Sequence, residues 1–147
     1  MGRIIAIANQ KGGVGKTTTA INLSACLAES GQKVLTVDFD PQGNATSGLG
    51  IEKGEIDKTV YDLLVGECDI EECLISNMQE NLDLLPSNVD LAGAEIELLE
   101  IENKESLLKT YLSKIQNNYD FIIIDCPPSL NLLTINALTA ANTVLVP

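Results

Sequence analysis

The sequence predicts an α/β fold built on a doubly wound, mostly parallel sheet, and three observations lead there. Short apolar runs recur at residues 3–8, 33–37, 82–85, 120–125 and 143–147. The first is rich in β-branched residues, which suits a strand buried on both sides of a parallel sheet. Stretches with helical spacing of apolar residues separate these runs, so strand and helix alternate along the chain. The first strand also passes into its helix through a glycine-rich turn. At 147 residues the chain fits one domain, residues 1–147.

The elements follow in order. Arg3-Ile4-Ile5-Ala6-Ile7-Ala8 is the first strand. Residues 17–29 carry Ala20, Ile21, Leu23, Ala25, Leu27 and Ala28 and close before Gly31, as a helix C-terminus does. The second strand, 33–37, runs into Asp38 and the polar stretch Asp40-Pro41-Gln42-Gly43-Asn44, which reads as a loop. Short helices are expected at 59–65 and 70–75, a strand at 82–85 ahead of Pro86, and amphipathic helices at 91–101 and 105–115 joined around Asn103. The strand at 120–125 ends in Asp125 and meets a Cys126-Pro127-Pro128-Ser129 turn, followed by a helix at 130–141 and a last strand at 143–147. Because the sequence stops on a core strand, the expectation is an N-terminal portion of a larger fold whose C-terminal part is missing.

Composition narrows the function classes. A hydrophobic fraction of 45% is enough for a real core. The balance of 21 acidic against 9 basic residues, a net charge of -12, argues against direct nucleic-acid binding by these residues alone. The acidic side chains read as solvated faces. The four cysteines fall in no CxxC pair and there is no histidine, which excludes the usual zinc sites and fits a reduced, cytoplasmic protein. Cys26 and Cys126 are expected to be small buried hydrophobes and the Cys68/Cys73 pair to have no role. No segment resembles a signal peptide, and no apolar run reaches membrane-spanning length.

Gln10-Lys11-Gly12-Gly13-Val14-Gly15-Lys16-Thr17-Thr18 joins the first strand to the first helix, the context that a phosphate-binding loop requires. Glycines let the backbone close around an anion, and the N–H groups at the helix start present positive charge to it. Lys16 is placed to reach the β- and γ-phosphate oxygens and the Thr17 hydroxyl to ligate Mg²⁺. Gly12, Gly13, Val14, Gly15 and Thr18 complete the expected ATP-binding set. A glycine turn with a capping threonine would explain neither the two lysines nor the three glycines. Gln10 stands where the G-x-x-x-x-G-K-[ST] pattern has its first glycine. Asp125, at the end of Ile122-Ile123-Ile124, is the acid of a Walker B strand that holds hydrated Mg²⁺.

The loop Lys11-Gly12-Gly13-Val14-Gly15-Lys16-Thr17 resembles the deviant Walker A loop of the ParA/MinD group of P-loop NTPases, and the resemblance covers nearly the whole chain. It implies that Lys11 crosses to the partner subunit's phosphates, so that dimerisation and catalysis are linked. Asp38-Phe39-Asp40-Pro41-Gln42-Gly43-Asn44 sits at the carboxyl end of the second strand, where ligands bind in open α/β sheets. It resembles the switch I segment of the ParA/Soj branch, which implies that Asp40 orients or deprotonates the attacking water and that Asp38 lies near the Mg²⁺ shell. Cys126-Pro127-Pro128-Ser129-Leu130 and Leu133-Thr134-Ile135-Asn136-Ala137-Leu138 resemble that branch's switch II and its helix. No functional residue is carried over for 51–81.

The function implied is a slowly hydrolysing MgATP switch of chromosome or plasmid DNA segregation. It would work as an ATP-dependent homodimer stimulated by a ParB-like protein and would bind DNA non-specifically through the missing C-terminal part. Three other readings compete. A MinD-like membrane-associated switch would need a C-terminal amphipathic helix, and the DPQGN loop speaks against it. A cluster-bearing reductase like the nitrogenase iron protein needs a bridging cysteine pair, for which Cys126 is badly placed. The last is a fragment that folds without turning over ATP.

Overall fold

The computed structural model of the protein describes residues 2–9 and 15–147. Its centre is one six-stranded sheet formed by β1 (Arg3–Ile7), β2 (Val34–Asp38), β3 (Ile75–Gln79), β4 (Leu82–Leu85), β5 (Phe121–Asp125) and β6 (Thr143–Leu145). The spatial order is β3-β4-β2-β5-β1-β6. All neighbours run parallel except β3, which pairs antiparallel with β4 at one edge.

Alternation along the strands divides the core in two. Ile4, Ala6, Leu35, Val37, Ile122 and Ile124 point to one face, while Ile7, Val34 and Ile123 point to the other. Helix α1 (Lys16–Glu29) covers the second face with the small residues Ala20, Ser24 and Ala28, spaced one turn apart, so its axis lies close to the sheet. Ser24 and Thr36 are both buried there, and the Thr36 hydroxyl donates to Ser24 Oγ at 2.8 Å, which satisfies two polar groups that burial would otherwise penalise. The narrow stripe leaves Cys26 on the outer side of α1, exposed. This corrects the expectation that Cys26 is buried; Cys126 is buried as expected.

The first face is covered by short helices: α3 (Val60–Leu64), α4 (Ile70–Cys73), α5 (Ala94–Glu97), α6 (Leu107–Ser113) and α7 (Leu132–Ala140). Thr59 caps α3 through a reciprocal box with Asp62, whose carboxylate accepts from the Thr59 backbone N–H at 2.8 Å. Asn136, wholly buried on α7, accepts from Leu108 N–H at 3.1 Å and donates to the Lys104 carbonyl at 2.8 Å, tying the start of α6 to α7.

Several expected boundaries move. The helix expected at 91–101 is a 3₁₀ turn, Val89–Gly93, followed by the single turn α5. Only Leu91, Ala94 and Leu98 are buried, whereas Ile96, Leu99 and Ile101 are exposed, so no continuous apolar face holds a longer helix. The helix expected at 105–115 is likewise α6 preceded by a 3₁₀ turn at Lys104–Ser106. The helix expected at 70–75 ends at Cys73, because Ile75 opens β3. That edge strand went unread since Ile75-Ser76-Asn77-Met78-Gln79 shows no clear alternation. It is defined instead by the turn into β4, where Asn81 takes φ 67°, a left-handed conformation that asparagine tolerates. A further helix, α2 (Asn44–Gly48), begins where only a loop was expected.

Candidate functional site

Register brings the chemistry together. Ile7 and Asp38 are both opposite Asp125, so β1, β5 and β2 end level at the carboxyl edge of the sheet. Backbone bonds continue the ladder past the strands: Phe39 N–H donates to the Asp125 carbonyl at 2.9 Å and Cys126 N–H to the Ile7 carbonyl at 3.1 Å. The loops that leave these strands therefore start from a fixed edge.

Helix α1 starts from that edge behind Gly15, whose φ of 74° only glycine adopts at little cost. Among the described residues nothing lies within 4 Å of where a Cβ would sit, so the requirement they show is conformational rather than steric. The first turn of α1 holds no acidic residue and no side chain caps it, which leaves its N–H groups and dipole available to an anion. Lys11, Gly12, Gly13 and Val14 lie outside the described residues.

Lys16 is the largest fully buried side chain, 1% exposed. Its ammonium donates to Asp125 Oδ1 at 2.5 Å and stands 3.6 Å from Asp40 Oδ2. The Thr17 hydroxyl donates to Asp125 Oδ2 at 2.9 Å. Lys16, Thr17, Asp40 and Asp125 thus converge from three different strand ends. Thr18 lies exposed on the same helical turn. Burial raises the Asp125 carboxyl above its ordinary value, against the opposing pull of Lys16 and Thr17. Cys126 beside it is pushed up to about 12 by burial, so it is a packed thiol and not a nucleophile.

Asp38 has another occupation. It is fully buried, Oδ2 accepts from Thr46 N–H at 2.8 Å and from the Thr46 hydroxyl at 2.6 Å, and Oδ1 accepts from Asp40 N–H at 3.2 Å. Expected near a Mg²⁺ shell, its carboxylate lies at the edge shared with Asp125 and also holds the 40–46 segment. Burial raises its pKa from 3.8 to about 6, the Thr46 bonds opposing the shift and Asp125 adding to it. Because the folded value lies above the unfolded one, the neutral acid favours folding. That stabilisation is present below about pH 4 and is lost as pH rises through about 6, roughly 3 kcal/mol in all. Urea midpoints measured from pH 4.5 to 7.5 should therefore fall in wild type relative to Asp38→Asn; parallel curves would refute the shift.

The donor set left for a divalent cation is the Thr17 hydroxyl and the Asp125 carboxylate, hard oxygens 2.9 Å apart, which suits Mg²⁺ held partly by substrate phosphates and water. Among the described residues, three buried carboxylates face one ammonium, an excess of acidic groups that such a cation would offset. Among the described residues no cluster of three or more His, Cys, Asp or Glu forms a metal site by itself. The fit is to a nucleotide-bound cation rather than to a resident one.

Comparison with known proteins gives the family and the fold. The family profile described as AAA domain matches residues 2–147. Relatives include the sporulation initiation inhibitor protein Soj of Bacillus subtilis, 60% identical over all of this chain and 58% of its own length, and the chromosome-partitioning ATPase Soj of Treponema pallidum, 52% identical over 57% of its length. This chain therefore spans somewhat more than half of the curated relatives it matches. A Mycobacterium smegmatis structure named cobyrinic acid a,c-diamide synthase, with bound ATP analogue and magnesium, superposes with a TM-score of 0.96 at 47% identity, over 100% of this chain and 60% of that one. A plasmid partition protein from Borrelia burgdorferi superposes with a TM-score of 0.88 at 39% identity, over 100% of this chain and 66% of that one. With the profile covering the chain from its second residue to its last, the protein belongs to the AAA domain family and stands, within it, among the relatives of the ParA and Soj partition ATPases.

Proposed function

We propose that the protein is a MgATP-binding, slowly hydrolysing switch that dimerises with ATP and serves chromosome or plasmid segregation. The observation that carries this is the convergence of Lys16, Thr17, Asp40 and Asp125 at one level edge of the sheet. Names of relatives support the segregation role: the curated ones include chromosome-partitioning proteins from Treponema pallidum, Myxococcus xanthus and Caulobacter vibrioides. Solved neighbours bound to ATP analogue or ADP with magnesium support the cofactors.

In this reading the α1 N-terminus and the loop before it cradle the phosphates, and Lys16 leaves Asp125 to pair with the β- and γ-oxygens. Thr17 and Asp125 hold Mg²⁺, which supplies charge neutralisation on the phosphates when bound. Asp40, whose carboxylate is 3.6 Å from the Lys16 ammonium, would orient the attacking water, a role its nearness to Lys16 supports. Lys11, Gly12, Gly13, Val14, Gly15 and Thr18 complete the phosphate contacts. Lys11 acts on the partner subunit's nucleotide, a ParB-like protein stimulates turnover, and DNA binds through segments beyond this acidic chain. No helix among the described residues is long and apolar enough to cross a membrane.

Asp40→Ala separates binding from chemistry, because a group that positions water acts in the transition state and little in the ground state. In the full-length protein it is expected to lower hydrolysis by about 10²-fold or more while ATP affinity stays within a few-fold. A wild-type phosphate-release rate in the variant would remove Asp40 from the mechanism.

A further inference from the structure

Asp40 is held from a direction the reaction itself does not use. The turn that carries it, Asp40-Pro41-Gln42-Gly43, bends back on itself, with Gly43 N–H donating to the Asp40 carbonyl at 2.9 Å and Gln42 N–H to Asp40 Oδ1 at 3.0 Å. Against this turn packs the segment Pro86-Ser87-Asn88, which leaves the carboxyl end of β4, separated from β1 by β2 and β5. Ser87 is 2% exposed, and its hydroxyl donates to the Asp40 carbonyl at 2.8 Å. Its backbone N–H donates to Thr46 Oγ1 at 3.1 Å. Thr46 Oγ1 in turn donates to Asp38 Oδ2 at 2.6 Å, and Asp38 Oδ1 accepts from Asp40 N–H at 3.2 Å.

These bonds close a ring through Asp40, Ser87, Thr46 and Asp38 in which both backbone polar groups of Asp40 are fixed. The ring is buried throughout: Asp38 is 0%, Asp40 4%, Thr46 2% and Ser87 2% exposed. Gly43 shows how closely the two segments approach. Its φ is 66°, and a Cβ there would sit 3.2 Å from the Ser87 carbonyl oxygen. The Ser87 segment is itself anchored, since Val60 N–H at the start of α3 donates to the Pro86 carbonyl at 2.9 Å.

We propose that Ser87, acting with Thr46 and Asp38, is a positioning residue that fixes the Asp40 carboxylate relative to Lys16, so that the end of β4 belongs to the switch. The proposal rests on the reading of Asp40 as the water-orienting group. The physical reason is leverage: Asp40 side-chain geometry follows from its backbone, and a loop displaced by about 1 Å at a reacting centre costs up to about 10²-fold in rate. Ser87 touches neither Lys16 nor Asp125 in the described contacts, and its hydroxyl, the group the substitutions alter, meets the site at the Asp40 carbonyl.

The test is steady-state hydrolysis by the full-length protein, with KM for ATP and kcat read separately for Ser87→Ala, Ser87→Thr, Asp40→Ala and the double variant Asp40→Ala/Ser87→Ala. Ser87→Ala is expected to lower kcat about tenfold with KM within about threefold. Ser87→Thr, which keeps the hydroxyl, should return kcat to within about threefold of wild type. In the Asp40→Ala background Ser87→Ala should change kcat no further, the non-additivity of two residues acting as one unit. If Ser87→Ala does not fold, Ser87→Cys keeps the size and replaces the hydroxyl by a weak donor, and the same tenfold loss is expected. A wild-type kcat in Ser87→Ala, with Asp40→Ala impaired, overturns the positioning role and leaves the Asp40 reading standing. A further loss in the double variant overturns it too, because Ser87 would then act elsewhere. Unimpaired Asp40→Ala removes the reading beneath both.

Discussion

Lys16→Ala is expected to abolish measurable MgATP binding, and with it hydrolysis, in the full-length protein. Lys16 is the one described cation in the site, and it would be the only side-chain charge a subunit places between the β- and γ-phosphates of its own nucleotide. The same substitution has a second cost. The ammonium is buried against Asp125 and Asp40. Removing it strands two buried carboxylates, and breaking a buried pair in this way costs about 3 kcal/mol or more. Binding must therefore be measured on variant shown to be folded, for example by titrating fluorescent ATP at a temperature well below its melting midpoint. Folded Lys16→Ala that binds MgATP with wild-type affinity would mean that the site is assigned to the wrong residues.

Lys11→Gln is expected to leave nucleotide binding by the monomer within a few-fold of wild type, yet to lower hydrolysis by roughly 10³-fold and weaken ATP-dependent dimerisation. That is the scale of a cationic finger supplied in trans. A lysine that merely faced solvent would have almost no effect. Mixing separates the two. Lys11→Gln subunits keep an intact Lys16, while Lys16→Ala subunits keep Lys11, so a mixed dimer holds one complete site if Lys11 works across the interface. Partial recovery of phosphate release on mixing is the expected outcome. Mixed dimers demonstrated by mass that recover nothing would restrict Lys11 to its own subunit.

The elements that could be read from sequence are those whose side chains are dictated by burial on both faces. Ile4 to Ile7, Val34 to Val37 and Ile122 to Ile124 are apolar because the sheet is covered on both sides, and their strands appear within a residue of expectation. The places of Lys16 and Thr17 at the start of the helix after β1, of Asp40 just past β2 and of Asp125 at the end of β5 were equally legible, since they follow from the alternation of strand and helix. What escaped was set by contacts distant in sequence. The Leu91–Ile101 stretch has apolar residues enough for a long helix, yet Ile96 and Leu99 find nothing to pack against and it breaks after one turn. Cys26 sits among apolar neighbours, but the sheet is met by the Ala20, Ser24 and Ala28 stripe on the other side of the helix.

Asp38 is the instructive case within the site. As a carboxylate at a strand end beside Asp125 it reads like a metal neighbour, and Thr46, eight residues on, also turns both its hydroxyl and its N–H to that carboxylate. The only sequence signal for this was a threonine soon after a glycine-bearing turn, and α2 itself went unread. Ser87 left a similar trace, a Pro86-Ser87-Asn88 break at the carboxyl end of β4, on the edge that carries the chemistry.

The central claim is that ATP, held by this site, sets the association state of the protein. The measurement that tests it most directly is the molar mass of the full-length Asp40→Ala variant by light scattering after size exclusion, in MgATP and then in MgADP. Because that variant should bind ATP without consuming it, a dimer mass in MgATP and a monomer mass in MgADP are predicted. One and the same mass in both nucleotides, with ATP shown to be bound, would contradict the account.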